Sequence, residues 1–152
     1  MGDFLTGIWE NRMLMAAISG WLVAQILKTL LVLLLEKELR WERLFGSGGM
    51  PSSHSATVCA LAASAAALYG SASPAFAISA IIAFIVMYDA CNLRLETGKQ
   101  AGAIKELQQF FQDMGKQPLS EEKLKELVGH TLPQVLAGAI LGILIGIVVA
   151  VV

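Results

Sequence analysis

The sequence predicts an all-α fold, a polytopic membrane helical bundle of about four transmembrane helices with one or two amphipathic helices at its surface. Three observations predict it. The 152 residues are 56% hydrophobic and only 15% charged, and their mean hydropathy of +0.66 is too apolar for an ordinary soluble domain. The charges avoid several stretches of bilayer length. The polar residues that border those stretches fall at one face of the implied membrane. Residues 1–152 read as a single membrane domain. A net charge of −1 gives no basis for nucleic-acid binding. Cys59 and Cys91 have neither ligand nor disulfide spacing, so they read as buried apolar residues, and no metal or cofactor is implied.

Residues 1–12 form a short mixed segment, and the apolar stretch after it is too long for a cleavable signal peptide. Span 13–35 carries Gln25 and Lys28, which are costly in hydrocarbon; the lysine must snorkel or face the protein interior. A charged run from Glu36 to Arg43 follows, with Trp41 at headgroup level. Span 55–69 is short and rich in alanine, which suits a central helix enclosed by others. Gly70 to Pro74 is an uncharged turn, and span 74–93 ends near Asp89, Asn92 and Arg94.

The polar region 94–131 is expected to hold two helices. Ile104, Leu107, Phe110, Phe111 and Met114 recur at helical spacing between charged residues, and Gly115 can end that amphipathic helix. Ser120, Glu121 and Glu122 start a shorter one that Gly129 closes, with His130 next. Span 132–152 sets Gly138, Gly142 and Gly146 four apart on one face, for a tight contact either within the chain or in a homo-oligomer.

Lys and Arg lie in two of the connections (Lys37, Arg40 and Arg43; then Arg94, Lys99, Lys105, Lys116, Lys123 and Lys125) and are absent from the turn at 70–74. The positive-inside rule therefore places both termini outside and the charged connections in the cytoplasm. His54, Asp89, Arg94 and His130 then share the cytoplasmic edge, and Lys28 lies in the matching half of the first span.

The sequence Gly48-Gly49-Met50-Pro51-Ser52-Ser53-His54-Ser55 runs a glycine loop into a helix start. Glycines let successive N–H groups point at one spot, and serines cap the helix, so the loop suits an anion. With lysine and arginine nearby, the two histidines fit phosphoryl transfer. One neutral imidazole can attack phosphorus while the other, protonated, serves the leaving alkoxide.

The loop resembles the P-S-G-H signature of type 2 phosphatidic acid phosphatases, which share a helical core with vanadium haloperoxidases. Gly129 to Gly138 (Gly-His-Thr-Leu-Pro-Gln-Val-Leu-Ala-Gly) resembles the end of their third signature, H-x3-D followed by V-x-A-G. The best match is the divergent branch of that superfamily, a group of small membrane proteins. Its pattern is recognisable in Gln25 with Lys28, in Gly48 to Ala56, in Tyr88 to Ala101 and in Leu127 to Gly142.

The resemblance implies that His130 is the nucleophile and His54 the general acid. It implies that Ser53 and neighbouring N–H groups, with Gly49 and Ser52, hold phosphate, and that Lys28 is the first-signature lysine. Three departures stand out. Leu35 and Glu36 occupy the place of the first-signature arginine, Lys123-Leu124 stand where Ser-Arg is usual, and Gln134 replaces the aspartate after the nucleophile. Arg94 is the candidate substitute clamp, with Lys99 beside it. Asp89 is the candidate carboxylate for orienting an imidazole, unless it pairs with Arg94 or Lys99 to fix helices.

The expected function is a membrane-embedded, metal-independent phosphatase acting on a lipid phosphate or diphosphate through a phosphohistidine at the cytoplasmic face. Its partners would be that substrate and the surrounding membrane lipids. The alternatives are a non-catalytic protein that binds or transports an anionic lipid on the same phosphate cradle, and a structural protein assembled through its glycine faces.

Overall fold

The computed structural model describes residues 2–36, 49–115 and 130–152, except for the side chains of residues 2–4, 36 and 93–95. All regular elements among them are helices: α1 (Gly2–Glu10), α2 (Arg12–Glu36), α3 (Ser53–Tyr69), α4 (Pro74–Asp113) and α5 (Leu132–Val151). The charged run at 37–43 and the short helix expected at Ser120–Gly129 lie outside the described residues.

Helix α3 is the axis of the bundle, with α2, α4 and α5 packed around it. Its buried side chains are small. Ala56, Ala60, Ser64 and Ala65 are fully buried, so neighbouring backbones come close, which is how helices hold together where lipid is no less apolar than the interface. The glycine face of α5 is used here, inside the chain. A Cβ on Gly138, Gly142 or Gly146 would run into the carbonyl oxygens of Ser52, Ala56 and Ala60 respectively. On the other flank, a Cβ on Gly20 of α2 would meet Ala56 O at 2.9 Å. The glycine face therefore packs on α3 within the chain.

The large apolar side chains point outward instead. Leu22, Ile26 and Leu30 on α2, Ile81, Phe84 and Ile85 on α4, and Ile140 and Leu144 on α5 are all exposed. A soluble domain would bury such residues; a bundle in hydrocarbon presents them to lipid. Among the described residues, three helices are long and apolar enough to cross a membrane: Arg12–Leu35, Pro74–Asp113 and Leu132–Val151. At 17 residues, α3 is the shorter, enclosed helix among them.

Two features differ from the sequence expectation. The first segment is helical: α1 runs to Glu10, and Asn11 Oδ1 then accepts from the Leu14 N–H at 3.1 Å to cap α2. In addition, span 74–93 and the amphipathic stretch after it form one helix of 40 residues. At 1.5 Å per residue α4 is about 60 Å long, twice the hydrocarbon thickness. Ser73 caps its start, accepting from Phe76 N–H at 3.2 Å. No proline interrupts the polar part, and Lys99 pairs with Glu96 at 2.8 Å one turn away, which favours helix there. It ends before Gly115, whose φ of 72° suits glycine.

Arg12 Nη1 donates to the Ala150 carbonyl at 3.0 Å. This bond ties the start of α2 to the end of α5, where helix carbonyls lack intrahelical donors. The two helices are thus antiparallel. The later part of α2, with Lys28, and the beginning of α5 meet at the opposite end of the bundle, beside the start of α3.

Candidate functional site

The site forms at that opposite end from four segments. The first is one face of α2, where Gln25 and Lys28 are buried, Lys28 to 1% exposure. A lysine so placed has turned inward rather than snorkelled. The loop before α3 closes over its stem. Gly49 has φ 86°, a left-handed conformation that favours glycine, and a Cβ there would lie 3.3 Å from Lys28 Cγ.

The second segment is the start of α3. Ser52 is the N-cap and is fully buried. Its hydroxyl accepts from Ser55 N–H at 3.3 Å and from Ser55 Oγ at 3.1 Å. Its own N–H donates to the Gln134 carbonyl at 3.0 Å. Ser53, also buried, opens the helix, and His54 follows on the exposed side. The N–H groups of a helix's first turn lack intrahelical acceptors, and the helix dipole puts its positive end there.

The third segment is His130 with the first turn of α5. His130 is buried to 4% exposure, and its N–H donates to the Ala90 carbonyl of α4 at 3.2 Å. Its Nδ1 atom is shielded from solvent. Its ring lies edge-on to that of His54, with centroids 5.8 Å apart and planes at 64°. Thr131 caps α5, and Gln134 Oε1 accepts from the Thr131 N–H at 3.0 Å. That is one half of a capping box. The carboxamide oxygen of Gln134 therefore serves the helix start, while its backbone carbonyl holds Ser52.

The fourth segment is α4. Asp89 is exposed on it, next to Ala90. Lys99 lies nine residues past Ala90, about 13 Å along the helix, in an exposed pair with Glu96. The structure thus gathers Lys28, Gly49, Ser52, Ser53, His54, His130 and Gln134 at one end and leaves Lys99 to its own pair. Arg94 lies within α4, but its side chain is outside the described residues.

Ser55, read from the sequence as a capping serine, bonds the cap residue Ser52. Two participants were not singled out from the sequence: Thr131 starts α5, and the Ala90 carbonyl fixes His130. Thr131-x-x-Gln134 is a legible capping signature; a backbone carbonyl leaves no mark in a sequence.

A ligand at this end would meet a buried lysine, the positive end of α3 and two imidazoles, one on α3 and one just before α5. The family profile described as "Divergent PAP2 family" matches residues 9–145, and so takes in every one of these segments. The chain belongs to the Divergent PAP2 family. A relative 37% identical over 149 aligned residues, covering 92% of this chain and 94% of its own, is the Bacillus subtilis (strain 168) protein named "Uncharacterized membrane protein YuiD". No solved structure matches. The membrane assignment of that relative and the three apolar helices agree: this Divergent PAP2 protein is an integral membrane protein.

Proposed function

We propose that this Divergent PAP2 protein is a membrane-embedded phosphatase that hydrolyses a lipid phosphate or diphosphate through a phosphohistidine, working at the cytoplasmic face. The observation that carries the reading is the pairing of His54 and His130 at 5.8 Å. In-line displacement needs an attacking nitrogen about 3 Å from phosphorus, and a donor nitrogen about 3 Å from the leaving oxygen, one bond beyond. The two nitrogens must then lie within roughly 8 Å of each other, and rings with centroids 5.8 Å apart can present nitrogens at such a separation.

In the first step a nitrogen of neutral His130 forms a bond to phosphorus as the P–O ester bond breaks, and protonated His54 gives its proton to the leaving oxygen. Neutral His54 then takes a proton from water, whose oxygen attacks the phosphohistidine. This releases phosphate and restores both rings. Lys28 and the N–H groups at the start of α3 offset charge on the phosphoryl oxygens. The cytoplasmic placement rests on the lysines and arginines of the two charged connections.

A second reading is favoured by Gln134. Its carboxamide oxygen caps Thr131, and a neutral amide stabilises an imidazolium less than a carboxylate would. The cradle would then bind an anionic lipid without turnover.

Phosphate release by purified protein in detergent, from phosphatidate, phosphatidylglycerophosphate and isoprenyl phosphates and diphosphates, tests the proposal. His130→Ala is expected to abolish release. His54→Ala is expected to slow it 10²–10⁴-fold for a poor alcohol leaving group, and less for a diphosphate. Lipid binding with no release, unchanged by His130→Ala, would decide for the second reading.

A further inference from the structure

A groove of about 460 Å³ runs between α2 and α5 and is lined by Leu27, Leu31, Met50, Pro51, Ile140 and Leu144, among other apolar residues. On α5 the lining residues Ala137, Ile140, Leu141 and Leu144 follow helical spacing and form one stripe. That stripe lies beside the glycine face that meets α3, and none of the described helices covers it.

The upper end of the groove is the site loop itself. Met50 and Pro51 join Gly49, packed on Lys28, to Ser52, the cap of α3. One side of this short loop therefore meets the polar cradle and the other the apolar groove. On α2 the same division falls between neighbours: Lys28 turns inward, and Leu27 lines the groove.

We infer that this groove holds one hydrocarbon chain of the lipid whose phosphate sits at His54 and His130, with Met50 and Pro51 as the saddle between head and tail. The inference rests on the reading of the site given above. The lining selects the occupant. From Ala137 to Leu144 the groove follows α5 for about 10 Å, and the side chains that line it are all apolar. Such a surface suits a hydrocarbon chain, and the volume lies within the usual range for small-molecule sites. Continuity with the cradle distinguishes this groove from another of about 570 Å³ beside Cys59, Phe76 and Ile147, whose lining, among the described residues, includes none from the site loop.

The test is photo-crosslinking of the intact protein in phosphatidylcholine vesicles, using phosphatidate with a diazirine midway along one acyl chain and the matching diacylglycerol. Adducts are located by peptide mass spectrometry. The expected result is at least five-fold more adduct on Leu31, Ile140 and Leu144 from the phosphate-bearing probe, falling to the diacylglycerol level in Lys28→Met. Equal labelling by both probes, or adducts concentrated on α4, would overturn the inference. Ile140→Trp and Leu144→Trp add a second readout. They are expected to lower kcat/KM at least ten-fold for a long-chain lipid phosphate and less than two-fold for a short-chain, water-soluble one; an equal loss for both would count against the groove. If no substrate is turned over while labelling stays phosphate-dependent, the phosphatase reading fails and the groove stands.

Discussion

The backbone N–H of Ser52 donates to the carbonyl of Gln134 at 3.0 Å, so the residue that caps α3 is fastened to the first turn of α5. His54 is two residues from one end of this bond and His130 four residues from the other. Their separation is therefore set by backbone joined to backbone, with the glycine face of α5 seated on α3 directly below.

That seam should tolerate no added methyl. Gly138→Ala or Gly142→Ala places a Cβ against the carbonyl of Ser52 or Ala56, and overpacking of this kind costs about 1–3 kcal/mol. A lower thermal midpoint in detergent is expected for both. Gly102→Ala is the control: it sits in α4 with nothing among the described residues within 4 Å of its added Cβ. There the expected change is a gain of about 0.5–1 kcal/mol from helix propensity.

Lys28 should matter for anions. Lys28→Met keeps most of the stem beneath Gly49 and removes the charge. The expected outcome, in the protein that remains folded, is affinity for vanadate or phosphate at least ten-fold weaker by isothermal titration. Should Lys28→Met bind as well as the parent, the lysine is a packing residue and the cradle needs another cation.

At the far end, Arg12→Ala removes the bond to Ala150. Hydrogen bonds from charged donors contribute about 1.5–3 kcal/mol, so chemical denaturation should show a loss toward the lower end of that range. Ligand binding in the surviving folded protein should stay as it was, since the site lies at the opposite end of the bundle.

Gln134 separates capping from chemistry. Gln134→Ala removes the acceptor for Thr131 N–H and should cost about 0.5–2 kcal/mol. Gln134→Glu keeps an acceptor and adds negative charge at the positive end of α5, so its thermal midpoint should match or exceed that of the parent. If both variants unfold at the same temperature as the parent, the cap contributes nothing.

Much of this architecture was legible in the residues themselves. The alanines and serines between Ser55 and Tyr69 pointed to an enclosed helix, and the spacing of Gly138, Gly142 and Gly146 to a close helix contact. The serines before His54 pointed to a helix start. The breaks were harder to read. Asp89 and Arg94 suggest an end to a span, yet α4 continues because polar residues are good helix formers once water replaces lipid. Asn11 marks only a short interruption between α1 and α2, a boundary that composition blurs. The partner of His130 on α4 is the Ala90 carbonyl, which every residue type supplies alike. The groove between α2 and α5 was hidden for another reason: its residues read as lipid-facing leucine and isoleucine, and only the fold shows them meeting under Met50 and Pro51.

The seam also has a consequence in time. Ribosomes deliver α3 well before α5, and α3 is short, alanine-rich and little favoured by hydrocarbon on its own. Until α5 emerges, the carbonyls of Ser52, Ala56 and Ala60 have no glycine surface to rest on. His54 and His130 consequently become neighbours only once α5 has packed, and a chain cut short before Gly138 carries the upstream cradle residues without the seam that brings them together.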